Sequence, residues 1–169
     1  MSQLVRVDAS ATTVPLINFL FSMATIHIDY LGGLRTDCVH IQSGTHINTD
    51  APTDNQGLGE AFSPTDLVAN ALGTCIITTM AIFARREDID LKGSQLAVTK
   101  VMTSEPPRRI ARIDIDLVLR ASHNGTPFIP EEAIRTRLET ITHTCPVAIS
   151  LHPDIEQKVS LRWEEGVMA

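Results

Sequence analysis

FSPTDLVANALGTC, residues 62–75, is the stretch that decides the fold, because it begins what we predict to be the longest helix of the chain. Ser63 supplies a hydroxyl at the N-cap, Pro64 occupies the first helical position, and Asp66 places a carboxylate in the first turn. These residue types satisfy or complement the free N–H groups of a helix start. Apolar residues then recur at three- and four-residue steps, which predicts a largely buried helix from residue 64 to about residue 86.

Short strands are predicted before this helix. Residues 24–28 and 38–47 are rich in Thr, Ile, Val and His, and glycines interrupt the chain between and within them. Such runs bounded by glycine predict paired strands, here an N-terminal meander. Residues 49–57 are dense in turn formers and lack apolar periodicity, which predicts a surface loop ahead of the helix.

Strands and helices follow the long helix. Residues 95–103 and 110–120 are predicted strands, and in the second of them apolar and charged residues alternate. Helices are predicted to begin at Pro130 and at Cys145, where Pro146 can take the first helical position. Residues 157–163 form a last strand. The order of strands, long helix, strands, two helices and strand predicts an α+β fold.

Composition excludes several classes of protein. The chain has 169 residues, 43% of them hydrophobic, with a net charge of −6 and a pI near 5.4. A nucleic-acid partner is not expected, because phosphate binding depends on clustered Lys and Arg. Three cysteines are too few for a disulfide scaffold and fit a reducing compartment. We therefore expect a cytoplasmic protein.

The domain organisation is expected to be simple. Residues 23–169 are predicted to form one domain, and residues 1–22 an N-terminal extension or an arm that packs on a partner subunit. No membrane partner is expected, because Asp66, Asn70 and Arg85 leave the long helix an apolar length nearer to about 14 residues than to the roughly 20 that a bilayer requires.

Two of the cysteines lie in different local contexts. Cys75 is predicted in the apolar long helix, whereas Cys145 directly precedes Pro146 at the start of a short helix. Free N–H groups and the helix dipole favour a thiolate at such a start, so the thiolate of Cys145 is expected to be favoured. Each cysteine alone could equally be a small buried apolar residue. As a pair they suggest redox chemistry.

The sequence motifs around both cysteines resemble those of a known family. The segments FSPTDL (62–67), ALGTC (71–75) and TCPV (144–147) resemble the OsmC/Ohr family of thiol-dependent hydroperoxide reductases, over roughly residues 24–163. The resemblance implies an OsmC-like α+β fold in which antiparallel sheets wrap around a long central helix. It also implies an intertwined homodimer with active sites at the subunit interface.

The resemblance further implies a role for individual residues. Cys75 would be the peroxidatic nucleophile that becomes a sulfenic acid, and Cys145 would resolve it as a disulfide, which an external dithiol then reduces. Arg35, in the sequence GGLR, would stabilise the thiolate. The substrate would be an organic hydroperoxide or hydrogen peroxide, in oxidative or osmotic stress defence.

One position departs from the family pattern. The family has a glutamate directly after the proline of the long helix, where this chain has Thr65, and the carboxylate of Asp66 comes one residue later. One residue turns a helical side chain by roughly 100°. Asp66 could therefore reach Arg35, or it could be the reciprocal partner in the Ser63 cap. The departure leaves open an alternative, a non-catalytic OsmC-like protein that binds a small molecule.

No cofactor is expected, organic or metallic. His27, Cys38 and His46 fall on a predicted strand region, but neither their spacing nor that of the other histidines resembles a paired metal-ligand motif. Ordinary strand or surface histidines are the favoured interpretation. Cys38 has no counterpart in the family pattern and is expected to be structural.

Overall fold

A computed structural model describes residues 24–164 and divides the chain into two compact units, with the boundary between Pro64 and Thr65. The arm predicted over residues 1–22 lies outside the described residues. We refer to the parts before and after the boundary as the N-terminal unit and the C-terminal unit.

The N-terminal unit is the predicted meander. Strands β1 (Ile26–Gly32), β2 (Arg35–His40) and β3 (His46–Asp50) form an antiparallel sheet in the order β1-β2-β3. The connection between β1 and β2 uses three consecutive residues with positive φ, two of which are glycines. Glycine takes this conformation without steric cost, which explains the Gly-Gly pair at the turn.

The predicted surface loop over residues 49–57 is partly wrong. Thr49 and Asp50 belong to β3 and are buried, and Thr53–Asn55 form a 3₁₀ helix. The two buried polar side chains each have a hydrogen-bond partner, since the hydroxyls of Thr49 and Thr36 lie 2.5 Å apart and Oδ2 of Asp50 accepts from the backbone N–H of Glu60 at 3.0 Å. Partners of this kind allow polar residues to be buried.

The C-terminal unit contains the long helix and a mixed sheet. Its elements are α1 (Pro64–Arg86), β4 (Gln95–Met102), β5 (Ile110–Leu119), β6 (Ala121–His123), β7 (Thr126–Phe128), α2 (Glu132–Thr144), α3 (Pro146–Ser150) and β8 (Glu156–Trp163). The main sheet has the order β4-β5-β8. β4 pairs with β5 antiparallel as expected, whereas β5 and β8 run parallel, which differs from the all-antiparallel expectation.

A small hairpin was missed in the sequence. β6 and β7 pair antiparallel across Asn124-Gly125, both of which have positive φ. Asn-Gly is the strongest short hairpin signal, but strands of three residues are too short for an alternation to be recognised.

The core lies between α1 and one face of the sheet. The inward side chains of β5 are fully or almost fully buried, and so is one face of α1: Ile113, Ile115, Leu117 and Leu119, and Leu72, Ile76, Met80 and Ala84. Gly73 lets the helix approach β4, because a Cβ atom there would lie 2.9 Å from Cγ2 of Val98. The buried face fixes which side of α1 remains available for a site.

By length and mean hydropathy alone, α1 could cross a membrane. The sequence argument that the apolar part of this helix is too short to span a bilayer is therefore wrong by this criterion. A helix that packs in a core meets the same criterion, and α1 buries its Leu72, Ile76 and Met80 face in the C-terminal unit. The expected absence of a membrane partner therefore remains a prediction.

Candidate active site

Cys75 lies in the middle of α1 and is partly exposed. Its neighbours Leu72 and Ile76 are fully buried, so the core holds this part of the helix in place. Thr79 follows one turn later, and its Oγ1 atom is 4.0 Å from the Cys75 Sγ atom. The thiol is therefore accessible while its backbone is fixed.

Cys145 links α2 to α3. It is the N-cap of α3, with Pro146 at the first helical position as predicted, and it is fully buried. The short helix that it begins also reaches the first cysteine, because the backbone N–H of Val147 donates a hydrogen bond to Cys75 Sγ at 3.5 Å. The Cys145 thiol lies close enough to Cys75 for the two to influence each other electrostatically. The fold thus brings together two thiols 70 positions apart.

Burial changes the expected chemistry of Cys145. Loss of solvent raises the pKa of the Cys145 thiol, and the neighbouring Cys75 thiol raises it further, while the backbone N–H groups of Ala148 and Val147 offset only part of the rise. The expectation that the helix start favours a thiolate at Cys145 is therefore wrong. Desolvation penalises the charged form more strongly than a single helical turn stabilises it.

The two cysteines are suited to different steps. Cys75 is exposed enough to meet a small molecule, and its sulfur accepts a hydrogen bond from the Val147 N–H. Cys145 is buried close to Cys75, and burial raises the pKa of its thiol. Both are free thiols, as the two partners of a redox disulfide are in the reduced state.

Arg35 belongs to a cluster of charges within the N-terminal unit. Its guanidinium forms ion pairs with Asp50, at 3.4 Å, and with Glu60. Asp50 is almost fully buried, and the hydrogen bond from the Glu60 backbone together with the Arg35 charge lowers the pKa of its carboxyl. Sequence reasoning missed both carboxylates. Asp50 could have been found from strand register, because it is directly opposite Arg35 in the β2–β3 pair.

Asp66 is engaged inside the C-terminal unit. Its Oδ1 atom is 2.7 Å from Nζ of Lys100, and the same ammonium group donates to Oγ1 of Thr65 at 2.8 Å. Lys100 was not a candidate from the sequence, since nothing local relates β4 to the start of α1. The roles suggested for Asp66, toward Arg35 or in the Ser63 cap, stay predictions.

A model of the family described as OsmC-like protein matches residues 57–160. The chain belongs to the OsmC-like family. A crystal structure of a protein from Psychrobacter arcticus, named for osmotic stress induction and a detoxification response, is 44% identical, covers 83% of this chain and 96% of its own, and superposes with a TM-score of 0.74. A comparison with curated protein sequences finds no match.

More distant OsmC-like structures share the fold. An organic hydroperoxide resistance protein OsmC from Legionella pneumophila is 16% identical, with a TM-score of 0.58 over 82% of this chain and 97% of its own. An OsmC-like protein from Mycoplasma pneumoniae is 14% identical, with a TM-score of 0.64 over 82% of this chain and 94% of its own. The family membership and the α+β fold expected from the sequence are thereby confirmed.

The histidines of this OsmC-like chain have ordinary partners. His46 contacts the carboxylate of Asp37 at 3.0 Å, and His40 hydrogen-bonds to Ser43 at 2.7 Å. Within residues 24–164, no group of three His, Cys, Asp or Glu side chains is placed to hold a metal ion.

Proposed function

We propose that this OsmC-like chain reduces hydroperoxides through Cys75 and a disulfide between Cys75 and Cys145. The observation that carries the proposal is the proximity of two thiols, one partly exposed and accepting a hydrogen bond from the Val147 N–H, the other fully buried. An accessible, activated cysteine beside a resolving cysteine is the arrangement that thiol redox sites require. The family and its neighbours named for hydroperoxide resistance support a redox or stress role.

The proposed reaction consumes one hydroperoxide and one dithiol and releases an alcohol and water. The Cys75 thiolate attacks one oxygen of the hydroperoxide, the O–O bond breaks, and the organic alcohol leaves after taking a proton. Cys75 is then a sulfenic acid. The Cys145 sulfur attacks it, forming the disulfide and releasing the hydroxyl oxygen as water. A dithiol from outside the protein returns both cysteines to thiols and is itself oxidised to a disulfide.

The family resemblance assigns Arg35 to the stabilisation of the thiolate. We expect Arg35→Ala to slow oxidation of Cys75 by about tenfold or more, because a cation in the role that the resemblance implies for Arg35 lowers the pKa of a thiol by about one unit or more. Arg35→Lys should retain part of the rate. Arg112→Ala is the matched control, because Arg112 forms an ion pair of similar kind with Asp114 at 2.7 Å. Equal rates in the Ala variants at both positions would remove Arg35 from the mechanism.

The assembly is proposed to be a cytoplasmic homodimer. Large apolar side chains remain exposed in both units, among them Tyr30 at 67%, Ile82 at 59% and Ile149 at 71%. Where such side chains form a contiguous patch within a unit, the patch is typical of a surface that packs against another subunit. A second copy of the chain is the partner that the family resemblance suggests.

A second candidate is binding of a small molecule without turnover. The position that carries a glutamate in the family is Thr65 here, and Thr65 and Asp66 both contact Lys100. If that contact leaves Cys75 too weakly activated, the same site would bind and not reduce. This candidate shares the fold and differs only in the reactivity of the thiol.

Stopped-flow oxidation distinguishes the two candidates. The reduced protein is mixed with cumene hydroperoxide or with hydrogen peroxide, and free thiols are counted before and after. Peroxidase activity predicts the rapid loss of two thiols per chain, absent in Cys75→Ser and retained in Cys38→Ser. Unreactive thiols in the intact protein would reject the peroxidase proposal and favour the binding role.

A further inference from the structure

The carboxylate of Asp50 is buried beside Arg35 in the N-terminal unit. Asp50 lies directly opposite Arg35 in the β2–β3 pair, and its Oδ2 atom is 3.4 Å from Nη2 of Arg35. Residues directly opposite on adjacent strands have Cβ atoms about 5 Å apart, so the sheet itself fixes where this carboxylate meets the guanidinium. The Asp50 side chain is only 1% exposed, which leaves it little freedom to move away.

Arg35 needs the charge of Asp50 more than the backbone does. A buried carboxylate has lost its water, so its charge persists only where donors or a cation compensate it. Oδ2 of Asp50 accepts hydrogen bonds from the Glu60 N–H, at 3.0 Å, and from Arg35. An amide oxygen can also accept from a backbone N–H, whereas only a carboxylate pairs with a guanidinium as an ion.

Glu60 is placed differently from Asp50. It also pairs with Arg35, but its side chain is 64% exposed and its backbone lies outside the three strands of the sheet. Exposed ion pairs contribute little and are screened by salt. Asp50 is therefore the partner that can hold Arg35 in one position.

A cation on a long side chain has to be held before it can act at one atom, because a free arginine side chain has many rotamers. At the position of the family glutamate in α1, this chain has Thr65, whose hydroxyl accepts a hydrogen bond from Lys100 at 2.8 Å. Thr65 has no carboxylate to offer a guanidinium. Strand β3 supplies one instead.

We propose that Asp50 is a positioning residue, which holds the Arg35 guanidinium in the place from which it stabilises the Cys75 thiolate. The proposal rests on the proposed function, because it takes Arg35 to act on Cys75. Asp50 would touch neither the thiol nor the peroxide and would act only through Arg35. Glu60 would add a smaller contribution that depends on the salt concentration.

Alkylation by iodoacetamide tests the proposal without a peroxide. The reduced full-length protein is alkylated at several pH values between about 5 and about 10, and mass spectrometry of its peptides follows Cys75 alone. We expect Asp50→Asn to raise the midpoint of this profile by about one pH unit, because a guanidinium that is no longer held stabilises the thiolate less. At neutral pH the alkylation should slow by about threefold, since a roughly tenfold smaller thiolate fraction is partly offset by a more nucleophilic thiolate.

The sign of the shift separates positioning from a plain charge effect. Asp50→Asn removes a negative charge, which by itself favours a nearby thiolate and would lower the midpoint. A midpoint that falls or stays unchanged in Asp50→Asn would overturn the proposal. A variant without wild-type circular dichroism would overturn it too, because the charge would then serve the fold.

A double variant tests whether Asp50 acts through Arg35. If it does, Asp50→Asn should have no further effect once Arg35→Ala is present, and the midpoint of the double variant should match that of Arg35→Ala within about 0.2 pH unit. Additive shifts would contradict the positioning role.

Asp37→Asn is the matched control. Asp37 is on the same strand as Arg35, two residues away and on the same face, but it pairs with His46 at 3.0 Å. Its removal should leave the midpoint unchanged. Glu60→Gln should raise the midpoint by less than about half a unit, and only at low salt. A larger shift in Glu60→Gln than in Asp50→Asn would assign the holding role to the wrong carboxylate.

The two proposals can fail separately. A midpoint that rises in Asp50→Asn, with no oxidation of Cys75 by any hydroperoxide, would support the positioning role and reject the peroxidase proposal alone. Rapid oxidation of Cys75 by a hydroperoxide, with no shift of the midpoint in Asp50→Asn, would leave the peroxidase proposal intact and reject the positioning role.

Discussion

The middle of α1 and the junction between α2 and α3 each present one thiol, and the two regions surround it differently. Cys75 is partly exposed and accepts a hydrogen bond from the Val147 N–H, whereas Cys145 is fully buried and burial raises the pKa of its thiol. The helix start that was expected to activate Cys145 also donates a hydrogen bond to Cys75. The comparison teaches that burial outweighs the N–H groups of a helix start in setting the pKa of the Cys145 thiol.

The largest expected effect separates the two thiols by function. We expect Cys145→Ser to keep the rate of the first oxidation of Cys75 within about threefold, since Cys145 does not touch the peroxide. Turnover with a dithiol should fall by roughly a hundredfold or more, because no disulfide can form. A coupled assay of peroxide consumption measures both quantities.

The control for this variant is Cys38→Ser, which changes a thiol in the N-terminal unit and should behave as wild type. If Cys145→Ser turned over as fast as wild-type protein, Cys145 would not be the resolving cysteine.

The next effect concerns the buried face that holds Cys75. Ile76→Ala should lower the free energy of unfolding by about 2–5 kcal/mol, because Ile76 is fully buried in the core and its removal leaves a cavity. Thr74→Ala, on the other side of Cys75, changes an exposed residue and should cost less than about 1 kcal/mol. Urea denaturation of the reduced protein measures both.

If Ile76→Ala and Thr74→Ala lowered the free energy of unfolding equally, the two sequence neighbours of Cys75 would not be divided between core and surface. The division of α1 into a buried and an accessible face would then be wrong.

The smallest expected effect is the pH dependence of stability. A group whose pKa is raised on folding stabilises the native state fully below its unfolded pKa, and this contribution is lost as pH rises through the folded pKa. For Cys145 the loss begins above the ordinary thiol pKa of about 8.5. Reduced wild-type protein should therefore lose more stability than Cys145→Ala between about pH 8 and about pH 10.

Urea midpoints at several pH values measure this difference, and Cys38→Ala should keep the wild-type slope. A Cys145→Ala variant with the same alkaline loss as wild type would contradict the raised pKa of Cys145.

Local patterns predicted the elements that have strong local signals. The Ser-Pro start of α1 and the alternation in β5 placed these elements to within about a residue, because capping and periodicity act over a few positions. Pairings between strands that lie far apart in the sequence could not be predicted from such local patterns. The parallel pairing of β5 with β8 depends on contacts that no local pattern encodes, and the hairpin of β6 and β7 was missed because its strands are only three residues long.

The same limit applies to the candidate site. The positions of both cysteines on their helices were predictable, and the resemblance suggested that they act together. The burial that raises the pKa of Cys145 and the contact of Lys100 with Asp66 both arise from tertiary packing. Charge partners of this kind can be inferred from sequence only where strand register is known, as it is for Arg35 and Asp50.

The most direct test of the peroxidase proposal is peptide mass spectrometry after one equivalent of cumene hydroperoxide is added to the reduced protein. We predict a disulfide between Cys75 and Cys145 in the wild-type protein, and a sulfenic acid on Cys75, trapped by dimedone, in Cys145→Ser. Cys38 should remain a thiol in both. First oxidation at Cys145 or Cys38, or a Cys75 that stays reduced, would contradict the assignment of Cys75 as the reacting thiol.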